Sequence, residues 1–312
     1  MEDYLVVRVR RPSKFVRLAR LGVNSMLARA GLQLSRTNAL LTDSTEAYDD
    51  PVEAGYRAGL SPYLLDIALE HCRVLPSTAY ACASHRGNPF VDTLIGYARG
   101  EIKNFEQSPL AGFYRTWQPL SAADVLGLTG DDVAPELLQA PPLGFVMPWN
   151  DWSPARAEQR WAGIIEADNR EHGGLGKAKL GWKSWGPVDP TIGQQEFGRL
   201  ISVFDSIKTR GYQRSEAGDG DIKGVALHRA GEFRVLVTAG HHRASALAAL
   251  GRTTVPIRID NMLVRREDAA AWPNVRTGLF TKQQALALFD RLFEGRQPAS
   301  CRWPTERLTG PS

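Results

Sequence analysis

Residues 233–250 constrain the fold of this chain more than any other stretch. Phe233 to Thr238 alternates like a strand, Gly240 follows, and His241-His242-Arg243 runs into Ala244-Ser245-Ala246-Leu247-Ala248-Ala249-Leu250, a strong helix former that stops at Gly251. A strand that turns through glycine into a helix places unpaired backbone N–H groups and the positive end of the helix dipole at one point, and an anion binds readily there. Gly240 lets a ligand approach the backbone because no Cβ intervenes. Arg243 can hold two phosphate oxygens at once. His241 and His242 add imidazole donors, and either can move a proton near neutral pH. A solvated helix cap would use the same residue types, so the flanking pattern has to decide between these readings.

That pattern is regular. Phe197, Leu200, Ile201, Phe204 and Ile207 recur at intervals of three and four, which predicts a helix over 196–209 with Gly211 as its stop. Residues 218–221, Gly-Asp-Gly-Asp, form a turn. The segments 222–227 and 233–238 read as two strands joined by a hairpin loop at 229–232, and 254–259 as a further strand. The expected fold class is α/β (α+β): a mixed domain with a mainly helical N-terminal region.

In order and spacing, Ser206-Ile207-Lys208-Thr209-Arg210-Gly211-Tyr212, the hairpin, Gly240-His241-His242-Arg243-Ala244, Gly251 and Val255-Pro256-Ile257 resemble the ParB/sulfiredoxin superfamily domain over residues 195–260. The Gly-His-His-Arg form is most similar to its free-serine-kinase-like members. The resemblance implies that nucleotide phosphates contact Gly240, His241, His242, Arg243 and Ala244, framed by Ser206, Lys208 and Gly211. It also implies a glutamate base, for which Glu196 is the positional candidate. Sulfiredoxins carry cysteine where this chain has His241, so sulfiredoxin activity is not expected. The 52 residues after Asp260 contain Pro273, Pro298 and Pro304, and no helix-turn-helix reading head for DNA partition is expected among them.

The functional expectation is a nucleotide-dependent phosphotransferase, kinase-like, with ATP or another nucleotide and a small hydroxylated acceptor as partners. Glu196, His241 and Asp219 are the candidate catalytic residues. Asp219 and Asp221 could hold Mg²⁺ beside the nucleotide, although two acids around Gly220 equally make a turn. Trp182 and Trp185 could stack on a sugar, which makes a sugar or envelope-glycan precursor the preferred acceptor; tryptophan is also a common core residue. The alternatives are a non-catalytic nucleotide-binding switch or adaptor and a ParB-like nuclease.

Charge bears on the last of these. Residues 1–36 hold eight basic and two acidic residues, a local charge of +6, while the remainder holds 30 basic and 32 acidic, or −2. The body of the chain is therefore slightly acidic, and no specific DNA binding is expected. The basic arm, 1–36, includes an amphipathic helix expected over 14–30, which can either touch an anionic membrane or pack on its own domain. No apolar run reaches membrane-spanning length and the first residues lack a secretory core, so a cytoplasmic chain, peripheral at the inner face of the membrane if the arm binds lipid, is expected. The three cysteines are too few for a disulfide framework.

The remaining division is a mainly helical region over 37–160 and the ParB/sulfiredoxin-like domain over 161–312. Within the former, 37–60 reads as loop. Helices are expected over 61–71, where Ser61 caps and Pro62 starts, over 89–103, and after Ser121. Pro135, Pro141, Pro142, Pro148 and Pro154 suggest a connection, followed by a helix from Asp151-Trp152-Ser153-Pro154 to Ile165. Thr281 caps a C-terminal helix over 281–294 whose Ala285, Leu288, Phe289 and Leu292 share a face.

Overall fold

Proline and a preceding cap residue set where four of the helices begin. Asp50, Asn88, Ser108 and Asp189 each accept backbone N–H bonds at the head of a helix whose first residue is proline: α1 (Pro51–Ala58), α2 (Pro89–Ala98), α3 (Pro109–Thr116) and α7 (Pro190–Arg210). Between them lie α4 (Ala122–Leu126), capped by Ser121, α5 (Pro135–Gln139) and α6 (Pro154–Gly173). The computed structural model describes residues 41–45, 48–59, 61–75, 77–82, 87–173, 181, 183–214 and 221–303. The basic arm with its helix over 14–30 lies outside them, as do Asp219, Trp182 and the glycines at 218 and 220.

Among the described residues seven strands form one mixed sheet: β1 (Thr42–Asp43), β2 (Tyr63–Ala68), β3 (Cys72–Val74), β4 (Tyr80–Ala81), β5 (Ile222–Arg229), β6 (Glu232–Ala239) and β7 (Thr254–Arg265), in the order β1-β2-β7-β5-β6-β3-β4. β5 and β6 are the expected hairpin, antiparallel, turning at Ala230 and Gly231, both with positive φ. β7 lies parallel to β5 and antiparallel to β2, and β3 lies parallel to β6. The chain is mixed α/β, as expected.

Residues 61–71 correct one expectation. They form β2 and a short 3₁₀ turn, not a helix. Ser61-Pro62 imitates a helix start, but Tyr63, Leu64, Leu65 and Ile67 are all buried, and β2 pairs with β7 over six residues from Tyr63↔Ile259 to Ala68↔Thr254. Buried apolar side chains on both faces favour a strand between two neighbours. In consequence 42–81 supplies four strands to the same sheet as 222–265, and Thr42–Ser312 is one compact unit rather than a helical region joined to a separate domain near 160. The stretch expected as loop over 37–60 contains α1.

α8 (His241–Ala249) follows β6 directly and packs against α7 and α2. Ala244, Ala246 and Ala248 are buried, and these small side chains let it lie close to Leu200 and Phe204 of α7 and Phe90 of α2 in the shared core. After β7 come α9 (Pro273–Arg276) and α10 (Lys282–Glu294). α10 carries the expected Thr281 cap as a capping box with Gln284. Among the described residues no helix is long and apolar enough to cross a membrane.

Candidate functional site

Gly240 is the N-cap of α8 and sits in the left-handed region at φ 84°. A Cβ there would meet Ile222 Cγ1 at 2.9 Å and an Arg243 guanidinium nitrogen at 3.2 Å. Glycine is thus required twice over, by the backbone angle and by the return of Arg243 across the turn. The first-turn N–H groups of α8 have no acceptor within the helix. They open on a cavity of about 590 Å³ lined by Asp168, Lys183, Arg199 and the run from Thr238 to Arg243, among others.

Lys183 and Arg199 reach this cavity from different elements. Asp168 of α6 stands between them, 3.7 Å from Lys183 Nζ and 3.1 Å from an Arg199 guanidinium nitrogen. Burial alone would raise the Asp168 carboxyl, but the two cations hold it below its ordinary value. The same Arg199 nitrogen lies 3.3 Å from Glu196 Oε2, and the other Glu196 oxygen lies 2.7 Å from His242 Nε2. The carboxylates of Asp168 and Glu196 therefore alternate with Lys183 and Arg199, and the row ends at the His242 ring.

Glu196 is 6% exposed and lies one layer behind the cavity, beneath His242. Burial pushes its carboxyl up, yet His242, then Arg199 and Lys183, bring it down to about 2. Its contact with His242 Nε2 is short and lies off the line of an ideal hydrogen bond. The His242 ring stacks on Phe90 with centroids 5.2 Å apart and planes 17° from parallel.

His241 differs from its neighbour. Its Nδ1 accepts the backbone N–H of Leu75 at 3.4 Å, and burial, reinforced by the Lys183 and His242 charges, lowers its pKa to about 3. It is a neutral imidazole whose proton sits on Nε2.

A second concavity, about 580 Å³, adjoins the first and shares Ser202, Val203 and Arg243 with it. It is lined also by Ser206, Arg210, Gly211, Tyr212 and Arg214. Ser206 and Gly211 thus reach a common hollow with Arg243. Lys208 is not among the lining residues; its ammonium lies 6.0 Å from the Phe204 ring centre. Ala244 is fully buried, so its side chain belongs to the core and only its backbone is near the turn. Asp221 is 3% exposed and pairs with Arg214 at 2.8 Å. Trp185 is 6% exposed and meets Phe145 edge-on, which makes it a core residue and leaves the sugar-stacking expectation without support from that ring. Among the described residues no group of three or more His, Cys, Asp or Glu could hold a metal ion.

Sequence reasoning missed Asp168, Lys183 and Arg199. Lys183 lies in a turn outside any helix or strand, and Asp168 lies past the expected helix end at Ile165. Only the i,i+3 spacing of Glu196 and Arg199 on one helix offered a signal. No protein-family model, curated protein or solved structure matches the chain.

Proposed function

We propose that this chain is a nucleotide-dependent phosphotransferase acting on a small hydroxylated acceptor. The observation that carries the reading is the convergence of Lys183, Arg199 and Arg243 on one cavity at the N-terminus of α8. Lysine and arginine side chains gathered at one helix N-terminus suit a phosphate chain, which brings several negative charges. The bare Cα face of Gly240 and the guanidinium beside it supply the close approach and the fork that phosphate oxygens require. The resemblance to the ParB/sulfiredoxin superfamily read from the sequence over 195–260 points the same way, because it assigns the same glycine and arginine to phosphate.

In this reading the α8 N–H groups and Arg243 hold the phosphates, and the adjoining hollow around Ser206, Gly211 and Tyr212 takes the rest of the nucleotide. Lys183 and Arg199, braced by Asp168, neutralise charge that develops on the transferring group. Mg²⁺ would arrive with the nucleotide. Asp221 is already engaged by Arg214, and Asp219 is outside the described residues.

The test is incubation of the full chain with ATP, ADP or CTP labelled in the terminal phosphate, with and without Mg²⁺, together with a pool of hydroxylated metabolites. A labelled product supports the enzyme. Binding without turnover identifies the switch, and no binding of any of the three nucleotides ends the reading.

A further inference from the structure

The two adjacent histidines of α8 are in opposite chemical situations. His242 presents one ring edge to a buried carboxylate, Glu196 Oε1, at 2.7 Å. A carboxylate oxygen at that distance keeps a proton on Nε2, so any proton His242 exchanges is the one on Nδ1. Nε2 is buried, which leaves Nδ1 as the edge toward the cavity that His242 lines. The Phe90 stack fixes the ring plane. His241 has the reverse arrangement: its Nδ1 is taken by the Leu75 N–H, and its Nε2–H is a donor.

We infer that His242 is the acid–base group of this site, that Glu196 beneath it is a positioning residue rather than the base itself, and that His241 transfers no proton and serves as a fixed hydrogen-bond donor. The inference rests on the phosphotransferase reading for its substrate, and on the side-chain geometry alone for the division of labour. Nδ1 of His242 takes the proton of the acceptor hydroxyl. As the acceptor oxygen bonds to the terminal phosphorus, the bond from phosphorus to the bridging oxygen breaks, and its electron pair leaves with the nucleoside phosphate. The α8 N–H groups and Arg243 receive that charge, and His242 then returns its proton to solvent. Glu196, held ionised, stabilises the imidazolium that forms.

The titratable groups around the cavity that His242 lines come from several elements. α7 contributes Glu196 and Arg199, α6 contributes Asp168, and the segment after Gly181 contributes Lys183. α8 itself contributes His241 and Arg243, α2 presents the uncharged Phe90 ring, and Tyr114 of α3 is kept protonated by burial, with the Glu196 charge adding to the effect. Removing the Glu196 charge takes away the carboxylate that faces His242 Nε2 and leaves the cations Lys183, Arg199 and Arg243 around the same cavity. That change makes the imidazolium harder to form.

The experiment has two arms. In the first, the pH dependence of kcat and KM is measured for the wild type, His242→Gln, Glu196→Gln, Glu196→Asp and His241→Asn. His242→Gln should lower kcat by about 10²–10⁴-fold with much less effect on nucleotide affinity. Glu196→Gln should lower kcat and move the acid limb of the profile to lower pH, Glu196→Asp should restore part of both, and His241→Asn should leave that limb in place. In the second arm, histidine ring resonances of the wild type and Glu196→Gln are followed by NMR against pH without any nucleotide. One ring of the pair should respond to Glu196→Gln, and the other should stay neutral until the protein unfolds in acid. If turnover exists and His242→Gln keeps kcat within about tenfold of the wild type, the assignment is overturned while the enzyme reading stands. If no turnover is found, the enzyme reading falls, and rings that titrate alike and ignore Glu196→Gln overturn the division of labour as well.

Discussion

Two parts of this molecule gather arginines, and they do so for different ends. Arg73 and Arg291 are 5% and 7% exposed and lie where β3 meets α10. Among the described residues neither has a carboxylate partner. Arg73 donates to the carbonyls of Phe293 at 3.1 Å, Glu70 at 2.7 Å and Cys72 at 3.2 Å. Arg291 donates to those of Arg296 and Ser77 at 3.0 Å each and of Leu126 at 3.3 Å. Burial brings both guanidinium groups down to about 10, still far above neutral pH. At α8, by contrast, Arg199 and Arg243 line an open cavity, and the acids that balance Arg199 lie to its side and behind it. An arginine whose N–H groups are taken up by carbonyls ties chain segments together. One that faces a cavity with braced charge beside it is arranged for a ligand.

The comparison breaks most visibly at Arg291. Arg291→Ala leaves the Ser77, Leu126 and Arg296 carbonyls without their donor, and should cost about 3 kcal/mol or more of stability, from about 1–3 kcal/mol for each buried group left unsatisfied. Urea unfolding measures it. A loss below about 1 kcal/mol would show that these bonds do not staple the fold.

Arg243→Ala should do the converse. The fold is kept, and nucleotide affinity in calorimetric titration drops by about 1.5–3 kcal/mol, roughly 10- to 150-fold. Arg243→Lys should recover only part, because a point charge replaces a planar fork. Unchanged affinity in folded Arg243→Ala would make the junction an ordinary helix start.

Gly240→Ala touches both properties. The φ of 84° alone costs about 1–2 kcal/mol, and the methyl group displaces Arg243, so stability and affinity should fall together. Loss of stability with affinity intact would separate the turn from the phosphate site.

The last effect builds gradually with pH. His241 is depressed to about 3, so below its ordinary value of 6.5 the unfolded chain binds a proton that the folded chain refuses. Stability is therefore lost as pH falls from about 6.5 toward 3, with a slope of up to about 1.4 kcal/mol per unit. Glu196, depressed to about 2, adds a loss from about 4.5 downward in the same direction. His241→Asn should flatten the upper part of this slope. An unaltered slope between pH 6.5 and 5 would mean that His241 is not buried neutral.

The sequence by itself determined the local elements whose signals are short-range. The β5–β6 hairpin, the glycine turn into α8, the Thr281 capping box and the Ser121 cap were all legible, because each depends on residues a few positions apart. Where two local signals competed, burial decided. Ser61-Pro62 signals a helix start, yet the segment is a strand because β1 and β7 flank it on either side. At α7 the apolar stripe suggested a start near 196, while the Asp189-Pro190 cap opens the helix seven residues after Lys183 and so sets Glu196 in its second turn. The site divides along the same line. Gly240, His241, His242 and Arg243 were legible as a group because one turn of chain brings them together. Which histidine faces a carboxylate, and that Asp168, Lys183 and Arg199 join them, follows from the packing of α6, α7 and α8. No local pattern carries those contacts, since a charge's environment is made by residues distant in sequence, and only tertiary structure brings them within a few ångströms.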